Sequence, residues 1–336
     1  MRAVVVVPTI RENCIRDFLS AWQDELRGVP ICLIEDNPER TFKIEGENIQ
    51  HLCWQDIDAT LGQNSWIIPR RTDCVRSFGY FLAATDRPDM IVTLDDDCYP
   101  DPEAPGFLAR HWNHLNGTAG DTAEAWVSSV GGVMPRGVPY FATQRTAPVI
   151  LNHGLWKGVP DYDAATQLVC ERRGGGIEIR QQTIPRGSYF PMCGMNLAWK
   201  PEATPGLYFL LMGRNYEYDR FGDIWAGVLF KRIADHLGYA ITSGDPTIIH
   251  QRASNPFANL RKEAPGLEIN ERFWQAVDAV QLTATDVRGC YEQLARGLEL
   301  EGDYFVKLKE AMQAWCDLFP GISAARPAAP ALVAAA

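Results

Sequence analysis

Three short apolar runs divide the first hundred residues, and they constrain the fold more than any other feature of the chain. Residues 4–7 are four consecutive valines closed by Pro8, and residues 30–34 and 90–94 are two further runs of the same kind. A β-branched stretch with no polar alternation is the mark of a strand covered on both faces, and such strands belong to parallel sheets flanked by helices. Between the runs, residues 17–26 set Phe18, Leu19, Trp22 and Leu26 at helical spacing, and residues 74–84 read as a second helix. The order β-α-β-α-β predicts a doubly wound, Rossmann-like α/β sheet. Ligands of such sheets sit at the carboxyl ends of the strands. Asp36 lies at the end of the second run and Asp95-Asp96-Asp97 follows the third directly.

The remainder is less regular. Residues 126–245 are rich in Pro and Gly with weak periodicity, which predicts short strands and loops. A helix is expected over residues 223–237, with Gly238 as its stop, and a short strand over 247–249 ending at His250. Helices return after Glu271, and residues 304–319 carry Phe305, Leu308, Met312 and Trp315 on one face. The Ala/Pro-rich tail over 320–336 is expected to be disordered.

Composition excludes several classes of function. A formal net charge of −10 disfavours a nucleic-acid partner, because phosphate backbones are gripped by Lys and Arg fields. The nine cysteines form no CxxC pair, which argues against a zinc knuckle or disulfide framework and for a reducing, cytoplasmic setting. The N-terminal apolar run is too short for a signal-peptide core. No stretch reaches the ~18 apolar residues of a membrane span.

Three adjacent aspartates repel one another unless a cation or strong donors compensate. At a strand end, their hard oxygens suit Mg2+ or Mn2+; the alternative is a solvated loop or a helix-capping cluster. His250 ends a β-like run, where a neutral imidazole can add a ligand. Arg11, Arg71 and Arg76 lie near strand ends or helix starts, where a guanidinium fork grips phosphate oxygens or merely adds surface charge. Asp223 opens a helix, either as a capping carboxylate or as a base facing a sugar. His111 and His114 are three apart on a predicted helix, whose hydrophobic neighbours assign them to its surface.

Five segments, in unbroken order over about residues 4–319, carry a family resemblance. They are Pro8-Thr9-Ile10-Arg11; Ser77-Phe78-Gly79-Tyr80 leading to Asp95-Asp96-Asp97-Cys98; His153-Gly154-Leu155-Trp156 with Pro160-Asp161-Tyr162-Asp163-Ala164; the nonapeptide Phe190-Pro191-Met192-Cys193-Gly194-Met195-Asn196-Leu197-Ala198; and Asn255-Pro256-Phe257 with Asn259-Leu260 and Lys262-Glu263. The set resembles the plant reversibly glycosylated polypeptides, which are UDP-arabinopyranose mutases. The resemblance implies a GT-A-like, Rossmann-type nucleotide-sugar-binding fold with C-terminal helices. Residues 1–319 would form one domain: a nucleotide-binding half over 1–125, a sugar-binding half over 126–260 and helices over 261–319.

The resemblance further implies a UDP-sugar substrate, a Mn2+ or Mg2+ ion, and interconversion of UDP-arabinopyranose with UDP-arabinofuranose; Asp95, Asp97 and His250 are the residues expected to hold the ion. Thr9, Arg11, Asp36, Arg71, Arg76, Asp95 and Asp96 form the expected nucleotide set. Arg136 matches the family's self-glycosylated arginine, and Asp163 and Asp223 are the carboxylates expected to assist there. The detached sugar is then held either by a covalent link to Arg136 or as a short-lived cation shielded by those carboxylates. Three positions depart from the plant pattern: Gly222 replaces an acidic residue, Arg71-Thr72 a Lys-Asp pair, and the glycine run 174–176 a loop that is not glycine-rich. The alternatives are a metal-dependent glycosyltransferase with a UDP-sugar donor, and a non-catalytic self-glycosylated subunit of a mutase complex. The aromatic C-terminal helices permit a homo-oligomer.

Overall fold

A computed structural model describes residues 1–121, 144–159, 161–169, 179–251, 255–324 and 332–333. In chain order its principal elements are β1 (Ala3–Thr9), α1 (Glu12–Ala21), β2 (Ile31–Glu35), β3 (Ile49–Leu52), α2 (Trp54–Leu61), α3 (Arg76–Thr85), β4 (Met90–Leu94), β5 (Cys98–Pro100), α4 (Phe107–Leu115), β6 (Thr118–Asp121), β7 (Gln144–Gly158), α5 (Ala164–Val169), β8 (Gln182–Thr183), β9 (Asn196–Trp199), α6 (Gly222–Leu237), β10 (Ala240–His250), α7 (Pro256–Ala279), α8 (Val287–Gly297) and α9 (Asp303–Asp317).

The sheet runs β3-β2-β1-β4-β9-β7-β10-β5. β1 pairs in parallel with β2 and β4, and β2 with β3, so the first four strands form the expected Rossmann-like half. β9 then enters antiparallel between β4 and β7, and β10 runs parallel to β7. The result is a mixed α/β sheet consistent with a GT-A-type fold. The valines of β1 explain its central position. Val4 and Val6 face one core with Cys32, Ile34 and the helices α3, α6, α8 and α9, whereas Val5 and Val7 face the other with Ile15, Phe18, Trp22 and Phe107. Each buried valine contributes on the order of 1.5–3 kcal/mol, which polar residues on either face would forfeit.

The helices over 223–237 and 304–319 stand where their periodicity put them, and Gly238 closes α6 in the left-handed conformation at φ 85°. Three elements differ from expectation. The first helix begins at Glu12, and Trp22 and Leu26 are buried in the turns that follow it. The middle of the chain contains long strands, with β7 and β10 of 15 and 11 residues. α7 starts at Pro256, far ahead of Glu271, because the Asn255 side chain caps it by accepting from the Phe257 and Ala258 amides. Pro265 and Gly266 inside α7 obscure its helical signature, and Gly266 is needed there because a Cβ would lie 2.3 Å from the Phe221 ring.

His111 is also not a surface residue. It is fully buried, its Nε2 faces Asn196 Oδ1 at 3.0 Å, and its Nδ1 faces Asn152 Nδ2 at 2.8 Å. Burial first of all drives its pKa down to about 3, so the ring is a neutral link between α4, β7 and β9. Among the described residues, no helix is long and apolar enough to cross a membrane.

Candidate active site

The acidic run begins immediately after β4, at the carboxyl edge of the parallel half of the sheet. The three carboxylates have separate surroundings. Asp95 Oδ1 accepts from Arg76 Nη2 at 2.5 Å. Asp96 is buried; it accepts from Thr9 Oγ1 at 2.6 Å and from Arg11 Nη2 at 2.5 Å. Asp97 has weaker support, from Arg11 Nη2 at 3.5 Å, with His250 Nε2 at 4.0 Å from its Oδ1. Burial, followed by the charges of Asp95 and Asp96, lifts the Asp97 carboxyl to about 6. Thr9 and Arg11 at the end of β1, and His250 at the end of β10, therefore converge on the run as the sequence suggested.

Arg76 is placed differently from a phosphate-binding arginine. It is 2% exposed, under the acidic run. Nη1 donates to Gly194 O at 2.6 Å and Thr93 Oγ1 at 3.2 Å, and Nε to Asp73 O at 3.1 Å, so its donors are used inside the protein. Asp36 is buried too, accepting from Trp54 Nε1 at 2.7 Å and from the Thr72 amide at 2.9 Å. Arg71, in the left-handed region at φ 61°, holds its guanidinium over the Trp54 ring, 5.2 Å from the centroid. Trp54 thus joins Asp36 and Arg71 in one patch at the end of β2. The sequence signal for it was an aromatic residue opening the helix directly after β3.

A second acidic group surrounds Asp223 in the first turn of α6. Asp223 Oδ2 accepts from the Gly194 amide and Oδ1 from the Ile224 amide, each at 2.9 Å. It retains some exposure. Burial, then the charges of Asp73 and Asp161, raise its carboxyl to about 7. The Gly194 residue that donates its N–H to Asp223 gives its own carbonyl, in the next peptide group, to Arg76, and Arg76 holds Asp95. The backbone of one residue therefore connects the two acidic groups. Only glycine fits, because a Cβ there would lie 2.8 Å from the Phe209 ring. This is the structural use of the nonapeptide.

Asp163 does not join that group. Its oxygens accept from Thr166 N at 2.9 Å and Thr166 Oγ1 at 2.5 Å, the bonds of a capping residue before α5. Its neighbour Asp161 faces the site instead, with Oδ2 3.1 Å from Cys193 Sγ. The Asp-x-x-Thr spacing at 163–166 was the available clue that Asp163 is the cap and Asp161 is not. Asp73 was also missed. Arg136, the expected glycosylation site, and the glycine run 174–176 lie outside the described residues. At Gly222 a Cβ would lie 2.5 Å from Phe209 O and 2.7 Å from Cys74 Sγ, so the departure from an acidic residue there accompanies close packing of α6.

A Rossmann-like α/β protein with a row of carboxylates at the end of a central strand, bridged to a second acidic group, is the class that fold and site define together. Comparison with known proteins narrows the class to a family. Residues 2–324 match the reversibly glycosylated polypeptide family, and the chain belongs to it. It is 34% identical over 337 residues to "Probable UDP-arabinopyranose mutase 1" of Pisum sativum, covering 95% of this chain and 90% of the relative. It is 34% identical over 331 residues to UDP-arabinopyranose mutase 1 of Arabidopsis thaliana, covering 93% and 90%. The corresponding protein of Oryza sativa subsp. japonica is 33% identical over 347 residues, covering 95% and 92%.

Proposed function

We propose that this protein is a UDP-sugar mutase that interconverts UDP-arabinopyranose and UDP-arabinofuranose by breaking and re-forming the anomeric C–O bond. The observation that carries this reading is the Gly194 bridge. It ties a diphosphate-side carboxylate, Asp95, to a sugar-side carboxyl, Asp223, in a chain similar over nearly its whole length to proteins named UDP-arabinopyranose mutase.

The donors at the acidic run fit a hard divalent cation, Mn2+ or Mg2+, in type and orientation. His250 Nδ1 lies 3.0 Å from Val159 O, so this nitrogen carries the proton and donates it. Nε2 is then the nitrogen turned toward Asp97, 4.0 Å from its Oδ1, while the bond at Nδ1 fixes the ring as it does for a metal-binding histidine. Among the described residues, however, no three such donors are already drawn into a tight set. Asp95, Asp97 and His250 would hold the ion, and when bound it would offset the charge developing on the departing diphosphate.

The protein's own groups supply the proton chemistry. A pyranose closes through O5 and a furanose through O4, so ring contraction must remove a proton from O4 and place one on O5. Asp223 suits both halves, because an acid–base group works best with a pKa near the operating pH, and its carboxyl is raised to about 7. Burial holds it there first, and the charges of Asp73 and Asp161 add to it. The free cysteines among the described residues support a reducing, cytoplasmic location.

A panel of UDP-sugars, incubated with the protein and Mn2+ and separated by chromatography, tests the reading. Ring-isomerised UDP-arabinose is expected without any acceptor. Conversion only when an acceptor is added would support a transferase instead.

A further inference from the structure

Of the three arginines first expected at the diphosphate, Arg76 is committed elsewhere. It has its donors inside the protein, whereas Arg11 is held by Asp96 and Asp97 through Nη2 alone. A different guanidinium stands by the second acidic group, three residues ahead of Asp223. Arg220 precedes α6, and its backbone is left-handed at φ 66°, a conformation that costs a non-glycine residue on the order of 1–2 kcal/mol and that concentrates at functional positions.

The surrounding structure maintains this geometry. Arg220 Nε donates to Glu263 Oε1 at 2.6 Å, and the other Glu263 oxygen accepts from the Ala164 amide at 2.7 Å. The Glu263 side chain is 5% exposed, so α7 presents a buried carboxylate that orients the guanidinium. The close approach of Gly266 to Phe221 locks α7 against the same segment. Among the described residues Arg220 forms no other hydrogen bond, and its side chain remains 36% exposed. The charges of Asp73 and Asp161, which act on Asp223, also act on Arg220. A guanidinium held by Nε alone keeps a flat pair of Nη donors, whose spacing matches two oxygens of one phosphate.

We propose that Arg220 is the binding residue that grips the β-phosphate of the nucleotide from the side of Asp223, oriented for this by Glu263. The inference rests on the reading of the site as a UDP-sugar site. It gives Arg220 the role that the sequence suggested for Arg76, and it explains why the Lys262-Glu263 segment belongs with the site although it lies on α7.

Calorimetric titration with UDP and with UMP, both in the presence of Mn2+, tests it, since UMP lacks the β-phosphate. In Arg220→Gln, UDP affinity should fall about tenfold or more, the usual effect of losing a charge-assisted hydrogen bond, while UMP affinity stays within about twofold. Removing Arg220 leaves Glu263 as a buried unpaired charge. The double variant Arg220→Gln/Glu263→Gln removes both charges and should melt near the wild type while keeping the selective loss of UDP. Equal weakening of both nucleotides, or unchanged UDP affinity in the double variant, overturns the inference and reduces Arg220 to a partner of Glu263. A wild-type protein that binds neither nucleotide overturns the functional reading, and this inference with it.

Discussion

Asp223 gives the sharpest test of the site's electrostatics. In the folded protein its carboxyl is raised from 3.8 to about 7, chiefly by burial and then by Asp73 and Asp161. A carboxyl raised on folding contributes stability that is fully present below its unfolded pKa and lost as the pH rises through the folded value. From pH 5 to pH 8 wild type should therefore lose about 3 kcal/mol that Asp223→Asn does not, at about 1.4 kcal/mol per pH unit. In a chain of this size that is a shift of several degrees in melting temperature. The amide keeps one of the two backbone N–H partners, so the variant has its own constant cost. The pH-dependent difference isolates the ionisation. The assay is chemical or thermal unfolding of both proteins at pH 5, 6, 7 and 8. The gap should move in favour of Asp223→Asn as the pH rises, and should narrow when Asp161→Asn is added. A gap independent of pH would mean that Asp223 is ionised throughout and is no proton carrier.

Two further substitutions probe the other parts of the site. Asp97→Ala should reduce UDP binding in Mn2+ to the level seen without metal by calorimetry; unchanged binding would move the cation elsewhere. Gly194→Ala forces a Cβ to 2.8 Å from the Phe209 ring; it should cost about 1–3 kcal/mol and lower turnover more than Phe209→Leu of similar stability, whereas equal turnover would make the Gly194 bridge a packing detail.

Much of the parallel half of the sheet was legible because its signal is local. The valines of β1 and the apolar β2 and β4 can only be strands buried on both faces, and the acidic run follows β4 at once. The two long strands β7 and β10 were not legible, since their residues pair with strands distant in sequence and include Pro, Gly and polar groups satisfied by tertiary partners, such as Asn152 and Thr242. The site shows the same division. Thr9, Arg11 and Asp97 lie at strand ends that the sequence marked, with His250 beside them. Arg76 reads as an exposed cation until the Gly194 carbonyl and Asp95 are seen around it. Asp161 and Asp163 are near-equivalent in sequence, and only the capping bonds of Thr166 separate their roles. The contacts of Arg220 with α7 span residues 220 and 263, beyond the reach of any local pattern.

Ring contraction without an acceptor is the reaction that separates a mutase from a transferase. Proton NMR of UDP-arabinopyranose incubated with the purified protein and Mn2+ reads it directly. UDP-arabinofuranose should appear, and the same mixture should be reached starting from UDP-arabinofuranose. Release of free arabinose and UDP alone, or an unchanged spectrum from both directions, would contradict the assignment.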